Sequence, residues 1–306
     1  MVWVTLAEEM VMQVLLLVAL AGLGAQFVDG ALGMGYGVTS STLLIAMGLS
    51  PAVASASVQM SKIGTAAISG ISHHKFGNVD WLTVRRIAIP GAVGSFFGAL
   101  FLSSLSTEAA RPVAAGLLFC LGLYVLLRFL IGRAPRRRPG TPGLRMLAPL
   151  GLAGGFIDAT GGGGWGPVTT PTLLADGRLA PARVIGTVST AEFLVATSAT
   201  LGFFLGLGIH GVEIGYVIAL LVGGAIAAPF AAAAVRHMNP RILGVVIGGV
   251  IVLLNARILL AAVSAPAALW ITVYAVLLST WLVGLALVLR VVLRERHQVP
   301  AESVHA

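Results

Sequence analysis

The sequence predicts an all-α, polytopic helical membrane protein: two inverted repeats, each with a glycine-broken re-entrant hairpin, plus one C-terminal helix. Three observations predict it. Of 306 residues, 58% are hydrophobic and only 10% charged, whereas a water-facing surface needs roughly 25% charged residues. The apolar residues fall in runs of about the ~20 needed for a helix to cross the ~30 Å hydrocarbon core. The two halves also repeat each other around two glycine clusters, GALGMGYG at 30–37 and GGGGWG at 161–166. This composition excludes a soluble enzyme and a disulfide-stapled secreted domain; Cys120 is the single cysteine. Nucleic-acid binding is excluded despite the net charge of +8, because Arg136, Arg137 and Arg138 sit in a short link between apolar runs, where basic residues mark the cytoplasmic side. A cleavable signal peptide is not expected, since only Glu8 and Glu9 precede the first apolar run.

In chain order, an apolar stretch at 10–48 is interrupted by the first cluster, and spans follow at 51–72, 82–104 and 108–131. A second interrupted stretch at 146–175 precedes spans at 181–205, 212–235, 240–263 and 267–292. Both clusters hold too much glycine for regular helix. The expected organisation is a first repeat at 1–132, a cytoplasmic basic linker at 133–145, a second repeat at 146–265, and an extra helix with a cytoplasmic tail at 266–306.

The repeat is read residue by residue. GLGAQFVDGALGMGYG from Gly22 lies over GLAGGFIDATGGGGWG from Gly151, pairing Phe27 with Phe156, Asp29 with Asp158, Gly35 with Gly164 and Tyr36 with Trp165. After one inserted residue, Pro51 pairs with Pro181, Ser57 with Thr187, and Lys62 with Glu192. Further on, Gly91-Ala92 lies over Gly224-Ala225. Such register points to duplication.

Basic residues decide the orientation. If each broken stretch crossed once, the loop Lys and Arg residues would divide eight against eight. If each is a hairpin returning to its own side, every one of them except Arg111 falls on one face, fifteen against one. The hairpin reading therefore makes the repeats inverted, with the N-terminus outside and the C-terminus inside. Inverted repeats with broken helices are a transporter architecture whose site lies near the midplane.

Four ionisable residues fall inside spans or breaks: Asp29, Lys62, Asp158 and Glu192. Each costs ~2.5–3.5 kcal/mol at the bilayer centre and needs a partner or a wet cavity. Lys62 lies about 16 Å from either end of its span at ~1.5 Å per residue, with Gln59 on the same face one turn earlier. Two readings stand. Lys62 either pairs with an intramembrane acid and locks the halves together, or it meets a negatively charged cargo beside Gln59. Asp29 and Asp158 are either proton acceptors or caps on the free N–H groups of the breaks; Glu192 points to proton coupling or to charge balance for Lys62. After the breaks, helices should restart at about Val38 and Pro167, presenting free N–H groups and positive dipole ends that suit an anion. Gly35, Gly163 and Gly164 would cradle it, walled by Tyr36 and Trp165; the alternative is that the glycines are packing motifs and the aromatics interfacial anchors. The histidines at 73 and 74 point to different sides of a helix and make a poor metal site; with Lys75 and GNVDW they read as a solvated loop suited to phosphate. No hydrolase or NTPase motif is found.

Two glycine-rich breaks in an inverted duplication, together with H-x-K-x-G-N-V-D-W (His73, Lys75, Gly77 to Trp81), resemble the TauE/SafE sulfite-exporter family of bacterial anion permeases. The resemblance covers roughly residues 15–265. It implies carriage of sulfite, organosulfonates or related small anions across the cytoplasmic (inner) membrane. Lys75 stands where arginine is more usual in the family, and the first break is less glycine-rich.

The sequence-based expectation is a secondary active transporter, not an enzyme, with no cofactor and no metal. Its cargo would be a small sulfur-containing anion, sulfite or an organosulfonate such as sulfoacetate, moved by alternating access. Lys62, Gln59, Gly35, Tyr36, Gly163, Gly164 and Trp165 would bind it, and Asp29, Asp158 or Glu192 would carry protons. Its partners are the cargo, the lipid bilayer and H⁺ as coupling ion; a homo-oligomer is left open. The alternative is a cation or proton carrier whose acids bind the ion, with Lys62 as a countercharge.

Overall fold

The computed structural model describes residues 2–32, 34–131, 140–208, 212–234 and 240–297. Gly33, most of the basic link (132–139) and the tail from 298 lie outside them. The described residues form helices and no strand. These are α1 (Val2–Leu32), α2 (Tyr36–Ala46), α3 (Pro51–Lys75), α4 (Trp81–Ser104), α5 (Thr107–Ile131), α6 (Leu144–Gly161), α7 (Trp165–Asp176), α8 (Pro181–Leu207), α9 (Ile214–Ala234), α10 (Pro240–Ala262) and α11 (Ala267–His297). Six of them, α1, α4, α5, α8, α10 and α11, contain stretches long and apolar enough to cross a membrane. Helix α3 is more polar because it runs through the middle of the protein: Ser55, Ser57, Gln59, Ser61 and Lys62 are all buried.

The helix that opens each half packs along the fourth helix of the other half, α1 on α9 and α6 on α4. Small residues make this possible. A Cβ on Gly22 would sit 2.7 Å from the Leu220 carbonyl oxygen, one on Gly98 would sit 2.5 Å from that of Phe156, and Gly155 faces the Gly91 carbonyl. Without a hydrophobic drive between helices in lipid, such close backbone approach supplies the packing.

Both broken stretches fold back on themselves. In the second, the Arg178 guanidinium after α7 donates to the Thr141 carbonyl before α6, at 3.5 Å. In the first, Val14, Leu15 and Val18 of α1 share one core cluster with Leu44, Ile45 and Leu49 around the end of α2. Ala52, at the start of α3 just after the first hairpin, clusters with Leu102 and Leu105 at the end of α4. Val84, at the start of α4, instead clusters with Leu147, Leu173 and Leu179 around the second hairpin. The non-helical backbone of each break is thereby enclosed in protein, the condition under which it is tolerated at membrane depth.

The joint between α3 and α4 carries the H-x-K-x-G-N-V-D-W motif. Gly77 turns the chain at φ 69°, and the Asp80 carboxylate caps α4 by accepting from the Thr83 N–H at 2.7 Å. The Asp80 N–H donates to Thr187 Oγ1 at 3.0 Å. The motif is a capped turn docked on the start of α8, which a reading as a solvated loop did not anticipate.

Candidate functional site

The tips of the two hairpins meet in the interior. Gly37, at the start of α2, lies against Gly162 and Gly163 of the second break: a Cβ on Gly37 would come within 2.6 Å of the Gly163 Cα. Gly163 in turn faces the Val38 N–H, and Gly162 (φ 75°) faces Ser41, whose hydroxyl donates to the Gly162 carbonyl at 3.0 Å. These glycines therefore serve contact between two backbones. Helices α2 and α7 restart at Tyr36 and Trp165, two residues before the expected Val38 and Pro167.

Three N–H groups at these restarts are met by carboxylates. Asp158 Oδ1 accepts from the Gly164 N–H at 2.7 Å and the Trp165 N–H at 2.9 Å. At the equivalent place in the first break, Asp29 Oδ1 accepts from the Tyr36 N–H at 3.3 Å. A carboxylate at a helix N-terminus is favoured by the dipole. Each restart thus holds a carboxyl group that belongs to the protein itself.

Lys62 connects the halves. Its Nζ lies 2.9 Å from both oxygens of Asp158 and 2.8 Å from Glu192 Oε1. The Gln59 amide, one turn before it, donates to Asp158 Oδ2 at 2.8 Å and to the Asp158 carbonyl at 3.0 Å. Lys62 and Asp158 are buried, whereas the Glu192 side chain is 25% exposed. Asp29, Lys62, Asp158 and Glu192 converge on one cleft with Tyr36, Ser189 and the glycines at 35, 37, 163 and 164. Its cavity volume is about 20 Å³, counted as space for the centres of water-sized molecules. That admits a water molecule or two, and a sulfonate needs a wider state.

Of the residues expected at the site, Gln59 and Trp165 do not line the cleft. Gln59 is fully buried behind Asp158, and its role there is to hold that carboxylate. The Trp165 ring packs on Gly91 and Val195, and its indole N–H donates to the Val188 carbonyl at 3.0 Å. Only its backbone N–H faces Asp158. The pairing of Tyr36 with Trp165 consequently ends at the backbone, for the Tyr36 hydroxyl turns to Ser61 Oγ at 3.2 Å and the Leu220 carbonyl at 3.4 Å. Ser61 and Ser189 went unnoticed in the sequence. Small serines in a membrane helix are common packing residues, and nothing in their spacing marked them out.

Two broken helices meeting tip to tip around a buried charged cleft, inside an apolar bundle, define a multi-pass membrane transporter. The chain belongs to the sulfite exporter TauE/SafE family, whose model matches residues 18–258. It is 48% identical over 280 residues to the probable membrane transporter protein YtnM of Bacillus subtilis (strain 168), covering 91% of this chain and 93% of that protein. A second Bacillus subtilis relative, the probable membrane transporter protein YdhB, is 26% identical over 63% of this chain and 78% of its own length. A probable membrane transporter protein of Haemophilus influenzae is also 26% identical, over 62% of this chain and 74% of that protein. No solved structure matches the chain significantly.

Proposed function

We propose that this protein carries a small sulfur-containing oxyanion, sulfite or an organosulfonate such as sulfoacetate, across the bacterial cytoplasmic membrane. Transport proceeds by alternating access between two inverted halves, and protons move with the cargo through carboxylates of the cleft. One observation carries this reading: a buried ammonium group, Lys62, lies where the two hairpin tips meet and faces the cleft. The clustering of Ala52 with the end of α4, and of Val84 with the second hairpin, supports the inverted arrangement. The orientation follows from charge: Lys75, Arg85, Arg86, Arg145, Arg178 and Arg183 gather at the end of the second hairpin, which becomes the cytoplasmic side, with the N-terminus outside. Gly35, Tyr36, Gly163 and Gly164 border the cargo, while Gln59 and Trp165 act through Asp158.

The competing reading, a cation or proton carrier with Lys62 as countercharge, is favoured by a different observation: three carboxylates surround a single lysine. Thermal unfolding of the purified protein against sulfite, sulfate, sulfoacetate, taurine and acetate separates the two. A ligand bound only by the folded state raises the melting temperature by mass action. Stabilisation by a sulfonate or sulfite, lost in a folded Lys62→Gln variant, is the expected result. A response to Na⁺ or pH alone would replace the anion reading with the cation one.

A further inference from the structure

We propose that Glu192 is a built-in competitor for the cargo: its carboxylate occupies the anion's place on Lys62 and yields that place by taking up a proton. The inference rests on the anion-carrier reading above and assigns a role within the same cleft.

Lys62 contacts two carboxylates that are held very differently. Asp158 is fixed on all sides, by both contacts to Lys62, by the Gln59 amide and by two backbone N–H groups, and it is fully buried. Glu192 has Lys62 Nζ at 2.8 Å, remains 25% exposed, and borders the cleft. Asp158 cannot leave without taking one of the two carboxylates from Lys62 and uncovering two N–H groups. Glu192 can swing away, exposing the one face of the ammonium that opens to the cleft. An oxyanion arriving there needs what Glu192 already provides, a negatively charged oxygen about 2.8 Å from Nζ.

Charge fixes how the exchange happens. Lys62 and Asp158 cancel, so an ionised Glu192 leaves the cleft with excess negative charge. A cargo anion entering beside an ionised Glu192 would add to that excess in a low-dielectric site, where like charges repel strongly. If Glu192 takes a proton as the anion binds, one carboxylate charge is replaced by one cargo charge and the total is unchanged. The proton then enters from the same side as the anion and leaves with it. The groups facing Glu192 are Lys62 on α3, Asp158 on α6, and Asp29 and Tyr36 across the cleft. The adjoining stretches of α4 and α7 carry no charged side chain.

The test is binding of methanesulfonate, whose charge does not vary near neutral pH, to the full-length protein in lipid nanodiscs across a pH series. One proton taken up per anion bound gives the wild type about tenfold tighter binding for each unit the pH falls, over the range in which Glu192 is ionised. Glu192→Gln is expected to bind independently of pH, with the affinity the wild type reaches in acid. Glu192→Asp, which keeps the titrating group, retains a pH slope and controls for misfolding. Asp29→Asn retains the wild-type slope. If Glu192→Gln binds methanesulfonate with an unchanged slope, or if the slope disappears only in Asp29→Asn, the assignment to Glu192 is wrong while the anion-carrier reading stands. If neither methanesulfonate nor sulfite binds the folded wild type in a Lys62-dependent way, the anion-carrier reading itself fails and the competitor role falls with it.

Discussion

The two hairpin tips carry the same three features, a glycine break, an aspartate seven residues before an aromatic, and a helix restarting at that aromatic, yet their aspartates live differently. Asp158 accepts from two backbone N–H groups, the Gln59 amide and Lys62, and is sealed from solvent. Asp29 accepts from one N–H at 3.3 Å. The cause lies on the long helix after each break. The residue facing Asp158 is Lys62, and the residue that the repeat places in the equivalent position is Glu192, a group of opposite sign. The cap is the same at both tips and the residue aligned with its partner has the opposite sign. One tip is a tightly bonded anchor and the other is held by a single N–H contact.

Removing the anchor should have the largest effect. Asp158→Ala leaves Lys62 with Glu192 as its carboxylate partner and uncovers two N–H groups, and each lost hydrogen bond to a charged group costs about 1.5–3 kcal/mol. The melting temperature in detergent should fall accordingly, whereas Asp29→Asn should hardly move it. Equal losses in the two variants would mean that the tips are not differently anchored. Next comes the contact between the tips. Gly163→Ala places a methyl group against the Gly37–Val38 backbone, and overpacking of this kind costs about 1–3 kcal/mol. Flux in proteoliposomes should be lost as well. By contrast, Gly116→Ala on α5, where a Cβ would meet nothing within 4 Å, should gain up to about 1 kcal/mol from helix propensity. A smaller effect is expected at the α3–α4 joint. Asp80→Ala removes a helix cap worth about 1 kcal/mol and should lower stability, while Asp80→Asn should recover most of the loss. If the alanine variant proved neutral, Asp80 would have to serve something other than the turn.

Much of this was legible beforehand because it rests on local physics. The span boundaries fell within a few residues of the helices, since an apolar run of membrane-crossing length leaves the chain little alternative. The α7 restart comes two residues before the position that a proline start signal predicts, because Pro167 stands in the first turn of α7, after Trp165 and Gly166. Lys62 was identified because a lysine at the midplane is costly wherever it points. What it touches was left open between an internal acid and cargo, and sequence spacing cannot separate those. Gln59 and Trp165 show the same limit from the other side. Both sit at positions that could face a ligand, and rotation of α3 and α7 against their neighbours turned one behind Asp158 and the other into the core.

The sequence by itself determined the membrane class and where most of its helices begin and end, because composition and run length are properties of the chain. Tertiary structure alone decided that the glycine clusters meet backbone to backbone, that Asp158 pairs with Lys62 while Asp29 does not, and that a carboxyl group of the protein meets the first N–H of each restarted helix. These outcomes depend on how helices distant in the chain are placed within a few ångströms of each other. At that range electrostatics and close packing discriminate between partners that the sequence leaves equivalent.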